Sequence, residues 1–296
     1  MTTDARAETA AGATRAGRFE WQIAGLLGVA AIAVYLPILV SMVRHWRDSS
    51  DYSHGFLIAP LAVYFALERR KKLQRAPVAP DLLGIVPLAL GTLTLAIGRF
   101  GVELMTMRTS FVLTLIGIVL LVLGRRVFQI LAFPLVFLFL MVPLPQSLVN
   151  TIAFPLQLLA ADTATSFMHW IGIPALREGN ILHLPHTQLF VEEACSGLRS
   201  LMALITLGVV FAYFFRKSWT ERAIIIASAI PIAIAVNAFR VALTGILTHH
   251  IGREAAGGWI HQTEGFFTFG IAFLVLLGES ALLQRFWPRA AKKEPA

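Results

Sequence analysis

The residues of this chain best suited to chemistry surround its single cysteine. Cys195 lies in the string EEACSGLRS of residues 192–200, where a polar stretch gives way to a long apolar run. This boundary predicts the start of a membrane helix, whose free N–H groups favour a thiolate and can also hold a developing oxyanion. We therefore expect Cys195 to be a nucleophile. The alternative is an inert buried thiol, since free cysteine packs as a small hydrophobe.

The residues that follow the cysteine fit a reactive site. Ser196 and Gly197 add little bulk, which leaves room for a peptide backbone to approach. Arg199 comes one helical turn later and is expected to support the pocket or hold a substrate carboxylate, unless it pairs with Glu192 or Glu193. Those two carboxylates oppose thiolate formation if they lie close to the sulfur, so they need a partner or an outward orientation.

Arg240 is the second candidate, because it lies within a long apolar run where a charge must face protein or water rather than lipid. Arginine stays protonated and cannot act as a base, but it can stabilise a thiolate or an oxyanion. Asn237, three residues earlier, shares its helix face. The alternative is an arginine that reaches out to lipid headgroups.

His261 is the third candidate and precedes the last apolar run. Histidine titrates near neutral pH, so it can take a proton from a thiol and return it to a leaving amine. Glu264 is expected to orient His261 if a helix has already begun there. Spacing alone does not separate His261 from four other histidines on the same expected side, which are His183, His186, His249 and His250.

Neither of two other histidine pairs has metal-site spacing. His183 and His186 are three residues apart and His249 and His250 are adjacent, whereas a zinc-protease pair has helical i, i+4 spacing. We therefore expect no metal and no other cofactor.

The composition requires these residues to be held by membrane helices. The chain has 296 residues, of which 57% are hydrophobic and only 14% charged, which is too apolar for a soluble domain of this length. Its net charge of +8 comes from short basic clusters between apolar runs, as membrane topology requires, so nucleic-acid binding is not expected.

The apolar pattern predicts an all-α polytopic membrane protein with about eight spans. Residues 148–171 are interrupted by polar residues and could span, re-enter or lie in the interface. Residues 172–194, rich in turn formers, predict a short extended or hairpin element before Cys195. The spans are expected near 21–43, 53–68, 82–98, 109–124, 127–142, 196–215, 222–247 and 263–283.

Charge counting favours a topology in which 148–171 does not cross the membrane. That topology places 17 of the 25 basic residues in the cytoplasm, whereas a topology in which 148–171 crosses the membrane places 14 there. Both termini are then cytoplasmic, and Cys195, Arg240 and His261 lie on the exoplasmic face. We expect a disordered segment over 1–20, a membrane domain over 21–287 and a tail over 288–296.

The string of residues 193–200, followed by NAFR at 237–240 and by His261, resembles the exosortase/archaeosortase family of membrane cysteine transpeptidases. The resemblance is strongest over about 180–275. It implies a catalytic triad of Cys195, Arg240 and His261, the histidine pointing to a bacterial exosortase because archaeal relatives have arginine there.

The resemblance also implies the substrate and the location. Family members act on exported proteins whose C-terminal sorting signal contains a Pro-Glu-Pro-type motif (PEP-CTERM), a transmembrane helix and a basic tail. They are thought to cleave near the motif and transfer the protein to a cell-surface acceptor, often beside exopolysaccharide genes. We thus expect a bacterial inner-membrane protein in contact with lipid and with such substrates, the acceptor being unknown.

Two rival functions differ in what they require of Cys195. A membrane acyltransferase would carry a lipid acyl group on Cys195. A transporter would use Arg240 as an anion site and would tolerate replacement of Cys195, with paired discontinuous helices in its fold.

Overall fold

The fold is described from a computed structural model, which covers residues 3–185, 187–191, 197–215, 218–252 and 258–286. Within these ranges only the backbone is described at 3–17, 50, 197–200, 258–262 and 284–286. Contacts within the chain divide it into two compact units, Met1–Pro145 and Gln146–Ala296.

The regular secondary structure in the described part of the first unit is all helical. Short 3₁₀ turns at Ser50–Tyr52, Leu82–Gly84 and Leu138–Met141 and a π-helical segment at Val119–Leu123 begin, extend or join the helices. α1 begins at Thr3, within the segment 1–20 whose disorder stays a prediction. The helices are α1 (Thr3–Asp48), α2 (Gly55–Glu68), α3 (Arg70–Arg75), α4 (Ile85–Phe100), α5 (Leu104–Ile118) and α6 (Arg125–Phe137).

Glycines allow α4 and α5 to pack closely. A Cβ atom on Gly91 would lie 3.0 Å from the Thr114 nitrogen, and one on Gly117 would lie 2.7 Å from the Leu88 nitrogen. Small residues at such contacts let the backbones of membrane helices approach, which strengthens van der Waals packing where lipid offers no hydrophobic driving force. The two helices therefore form a tight antiparallel pair.

The second unit combines helices with a small sheet. Its elements are α7 (Gln146–Trp170), β1 (Leu176–Glu178), β2 (Ile181–Leu184), β3 (Thr187–Phe190), α8 (Gly197–Phe215), α9 (Trp219–Ile251) and α10 (Gly258–Phe286).

The three strands confirm the extended element predicted over 172–194. They pair antiparallel in the order β1-β2-β3, with Leu182 opposite both Arg177 and Leu189. The inward residues Leu182, Leu184 and Leu189 are buried against α7 and α9.

α9 is the central helix of this unit. One face carries Ala238, Val241 and Ala242, which pack with the sheet and with Ala164 and Met168 of α7. Another part of its surface packs against α8 and α10 around a separate apolar cluster, which includes Leu204, Ile225, Ala229, Ala272 and Leu276. A helix enclosed in this way can hold polar side chains away from lipid.

An all-α polytopic membrane protein is confirmed. Five helices in the described part of the chain are long and apolar enough to cross a membrane, and a sixth span is possible if the helices on either side of residues 142–145 count as one. α2 and the described part of α8 are shorter, so the count of eight stays a prediction. The crossing helices are Arg18–Asp48, Leu82–Phe100, Leu104–Leu123, Trp219–Ile251 and Thr263–Leu283.

Candidate active site

A stripe of buried polar residues runs along the second half of α9. Asn237, Arg240, Thr244 and Thr248 are spaced by three or four residues, so they share one helix face. All four are buried, and Arg240 is only 6% exposed. This burial agrees with the prediction that Arg240 faces protein or water rather than lipid.

The guanidinium group of Arg240 lies against the beginning of α10. A Cβ atom built on Gly265 would lie 3.5 Å from Arg240 Nη2 and 3.7 Å from Cζ. His261 lies one turn before Gly265 on the same helix, although its side chain is outside the described residues. The backbone thus brings Arg240 to the helix turn that follows His261.

Glu264 is buried beside this contact. Its Oε1 atom accepts a hydrogen bond of 2.6 Å from the Thr244 hydroxyl, whose oxygen also lies 2.9 Å from the Arg240 carbonyl oxygen. α10 begins at Gly258, which meets the condition set for Glu264 to share a face with His261. The hydrogen bond described for the Glu264 side chain is made with Thr244 of α9, one turn beyond Arg240.

Sequence reasoning missed Thr244. Its position four residues after Arg240 was the available signal, because a hydroxyl one turn from a buried charge shares that charge's surroundings. Threonine is common in membrane helices, however, and its contact with a residue 20 positions later depends on the packing of two helices.

Two small cavities lie beside Asn237. One is lined by residues of α8, α9 and α10 that include Leu204, Asn237, Arg240 and Thr268, and measures about 10 Å³. The other, also about 10 Å³, is lined by residues that include Leu201 and Asn237. Each is close to the space that one water molecule needs. The Asn237 Oδ1 atom is buried with no hydrogen-bond partner among the described residues, so a water molecule there would satisfy it.

The described part of α8 also approaches the stripe. Leu204 lines the cavity that Arg240 and Asn237 share, and Leu201 lines the cavity next to it. α8 begins at Gly197, two residues after Cys195. The starts of α8 and α10 and the second half of α9 therefore belong to the same end of this unit.

Several predicted site residues fall outside the described part. Cys195 and Ser196 lie outside it entirely. For Gly197, Arg199 and His261 only the backbone is described. The catalytic roles of Cys195, Arg240 and His261 therefore stay predictions.

Other polar residues of the unit have local partners. His183 on β2 lies 3.1 Å from a Glu178 oxygen and 3.2 Å from the Gln188 amide nitrogen. Arg177 on β1 lies 3.5 Å from Asp162 of α7. The adjacent rings of His249 and His250 are 5.0 Å apart, while His186 lies outside the described residues.

Comparison with known proteins gives one match. Residues 46–278, which include the predicted triad, match the model of the transmembrane exosortase family. No curated protein and no solved structure matches the chain. Since the family model covers most of the sequence, the chain belongs to the transmembrane exosortases, a family of membrane cysteine transpeptidases.

Proposed function

We propose that this exosortase cleaves exported proteins at a C-terminal sorting signal of the Pro-Glu-Pro type and transfers them to a cell-surface acceptor. Cys195 is the nucleophile, His261 the acid and base, and Arg240 the electrostatic partner. The reaction takes place on the exoplasmic face of the bacterial inner membrane, where an exported protein with a membrane-embedded tail would meet the enzyme.

The observation that carries this proposal is the contact of the Arg240 guanidinium with Gly265, one turn after His261. A permanently charged, buried group is thereby held next to the helix turn that bears the expected base. Electrostatic stabilisation is strongest where a charged donor is preorganised and shielded from water. Cys195 precedes the start of α8 by only two residues, which supports Cys195 as the third member of the triad.

The proposed reaction proceeds by acyl transfer. His261 removes the proton from the Cys195 thiol, and the sulfur attacks the substrate carbonyl carbon. Arg240 and N–H groups near Ser196 and Gly197 stabilise the oxyanion. As the C–N bond breaks, His261 returns the proton to the leaving amine and a thioester remains. An acceptor nucleophile then attacks the thioester, its proton passes to His261, and the Cys195 thiolate leaves.

The test is processing of a co-expressed exported protein that carries a Pro-Glu-Pro-type tail. Cys195→Ala, Arg240→Ala and His261→Ala are each expected to abolish the size shift of the substrate at matched membrane levels. Arg222→Ala is the matched control, because Arg222 lies near the start of α9 and contacts the Trp219 ring, far along the helix from Arg240. This control should process normally.

The rival functions give other results. Normal processing by Cys195→Ala would exclude the thiol mechanism. A lipid acyl group on Cys195, in place of a substrate peptide, would identify an acyltransferase. In the wild type, release of the trapped substrate by hydroxylamine would support the thioester, because hydroxylamine cleaves thioesters and leaves amides intact.

A further inference from the structure

We propose that Arg108 and His45 form a binding site for a carboxylate group in the first unit, which goes beyond the function proposed above. Arg108 lies on α5, just over one turn from its beginning, and His45 lies near the end of α1. Both helices belong to membrane spans. An ionisable residue within a span that faces protein needs either a partner or a function.

Arg108 is buried and has little compensation for its charge. The residue is 4% exposed, and its only hydrogen bond to a described residue joins Nη2 to the Ser41 hydroxyl at 3.2 Å. Its Nε atom is buried without a partner in the described structure. No ion pair within 4.0 Å involves Arg108 in the described part of the chain. A buried guanidinium with one neutral acceptor lacks an anion.

The acidic residue five positions before Arg108, Glu103, is already engaged. Glu103 precedes α5 and accepts hydrogen bonds from the Met105 N–H at 3.0 Å and the Thr106 N–H at 2.6 Å, and also from the Thr106 hydroxyl. Its carboxylate therefore serves as the N-terminal cap of the helix. It influences Arg108 only from a distance.

His45 supplies a second polar group at the same place. It follows Ser41 by one turn of α1, and its buried Nε2 atom has no hydrogen-bond partner among the described residues. Its ring centre is 5.1 Å from that of Tyr52, whose hydroxyl donates to the Leu144 carbonyl oxygen at 3.5 Å. Arg108 and His45 thus present two buried nitrogen atoms without partners among the described residues, one from each helix.

Other polar groups between the same two helices are satisfied. The Ser110 hydroxyl lies 2.6 Å from the Met107 carbonyl oxygen and 3.0 Å from the Tyr35 hydroxyl, which in turn lies 3.1 Å from the Thr114 hydroxyl. The described interface between α1 and α5 therefore satisfies these three hydroxyls while it leaves Arg108 Nε and His45 Nε2 without partners.

A carboxylate fits this site better than a phosphate does. Its planar, singly charged pair of oxygens matches the guanidinium fork. Because Arg108 is almost fully covered, the ligand must be slender, whereas a lipid phosphodiester carries substituents on two sides. The carboxylate can belong to a small free acid or to an acidic side chain of a peptide.

The experiment measures the thermal unfolding midpoint of the purified full-length protein in neutral detergent, in acetate and in chloride at equal ionic strength. A ligand that binds only the folded state raises the midpoint. We expect acetate to raise it by roughly 2–4 °C in the wild type. The Arg108→Gln variant should show no such rise. Arg126→Gln, at an exposed arginine of the same unit, should respond as the wild type does.

Further arms separate the sources of the carboxylate. A short peptide with one glutamate, compared with its glutamine counterpart, tests an acidic side chain. Equal midpoints in acetate and chloride, or an equal rise in Arg108→Gln, would overturn the proposal. So would stabilisation by phosphatidylglycerol but not by acetate. If Arg108→Gln does not fold, Arg108→Lys replaces it, because lysine keeps the charge without the paired N–H groups of the guanidinium. Arg108→Lys should show a smaller rise of the midpoint in acetate. An undiminished rise would contradict the site.

Discussion

Arg240 and Arg108 show two ways in which this chain holds arginine away from water. The Arg240 guanidinium lies beside Gly265 of a neighbouring helix, where a built Cβ atom would touch it, and a buried carboxyl group lies one turn further along α9. Arg108 meets a single serine hydroxyl among the described residues, while the Glu103 carboxylate caps a helix. The first arrangement resembles a preorganised catalytic site, and the second resembles a binding site that awaits an anion.

Replacing Thr244 by valine should slow processing about tenfold, equivalent to ~1.4 kcal/mol in the transition state. The reason is that the Thr244 hydroxyl fixes the Glu264 carboxyl group beside Arg240, and valine keeps the shape without the hydrogen bond. The measurement is the initial rate of substrate processing per folded enzyme, where Thr244→Ser should recover most of the wild-type rate.

Ser228→Ala provides the matched control for this prediction. The Ser228 hydroxyl donates to Glu279 at 2.6 Å, so it also links α9 to α10, but near the opposite end of the two helices. Its removal should lower the unfolding midpoint and leave the rate per folded enzyme unchanged. A similar loss of rate in Ser228→Ala and Thr244→Val would show that helix pairing alone explains the effect.

At the residue scale, a buried charged residue was easier to predict from the sequence than a residue whose role depends on contacts between helices. Arg240 stood out because a charge in an apolar run is costly, and its burial follows from that cost. Thr244 did not stand out, since its importance depends on the register between α9 and α10. Arg108 did not stand out either, because the predicted span began at residue 109 and left this arginine outside it, whereas the helix span in the structure begins at Leu104.

At the scale of elements, the close packing of α4 and α5 predicts a specific sensitivity. Gly117→Ala would place a Cβ atom 2.7 Å from the Leu88 backbone nitrogen, so the helices must separate. Overpacking of this kind costs ~1–3 kcal/mol and should lower the unfolding midpoint by roughly 3–10 °C. Gly28→Ala, where no atom lies within 4 Å of the new Cβ, should have little effect. Equal midpoints for the two variants would contradict the packing.

The cap of α5 predicts a pH dependence. Burial raises the pKa of Glu103, but hydrogen bonds from Thr106 and Met105 lower it by more, so the net pKa lies below its ordinary value of 4.5. The charged cap therefore stabilises the fold above the ordinary pKa, and this stabilisation is lost as the pH falls through the lowered pKa. Glu103→Ala should cost ~1 kcal/mol near neutral pH.

The measurement is the unfolding midpoint of Glu103→Ala and the wild type as a function of pH. The difference between them should shrink as the pH falls below the ordinary pKa of 4.5 and through the lowered pKa. Glu103→Gln retains an acceptor without titrating, so its midpoint should depend less on pH in that range. A constant difference between wild type and Glu103→Ala at all pH values would contradict the role of the charge.

Elements were predicted unequally well. The extended element was predicted from turn residues and alternation, and three strands were found at 176–190. Their order depends on contacts with α7 and α9, which local patterns do not contain. The region 148–171 forms a helix despite Pro155 and Asp162, but helix formation alone does not decide whether it crosses the membrane.

At the scale of the whole molecule, topology follows from charge rather than from helix packing. The five basic residues of 69–75 and the smaller clusters between other apolar runs favour a cytoplasmic location for those loops. If α7 does not cross, the strands that follow it lie on the exoplasmic face. If α7 crosses, they lie in the cytoplasm with the basic clusters before it.

Cysteine labelling in a Cys195→Ala background distinguishes these topologies, since the chain then contains no other cysteine. A membrane-impermeant maleimide applied to intact spheroplasts should label Leu176→Cys, at an exposed position on β1, and should not label Lys72→Cys on α3. Both positions should be labelled after lysis, which controls for accessibility. Protection of both positions before lysis would mean that α7 crosses the membrane, and Cys195 would then face the cytoplasm, which would contradict the proposed reaction on exported proteins.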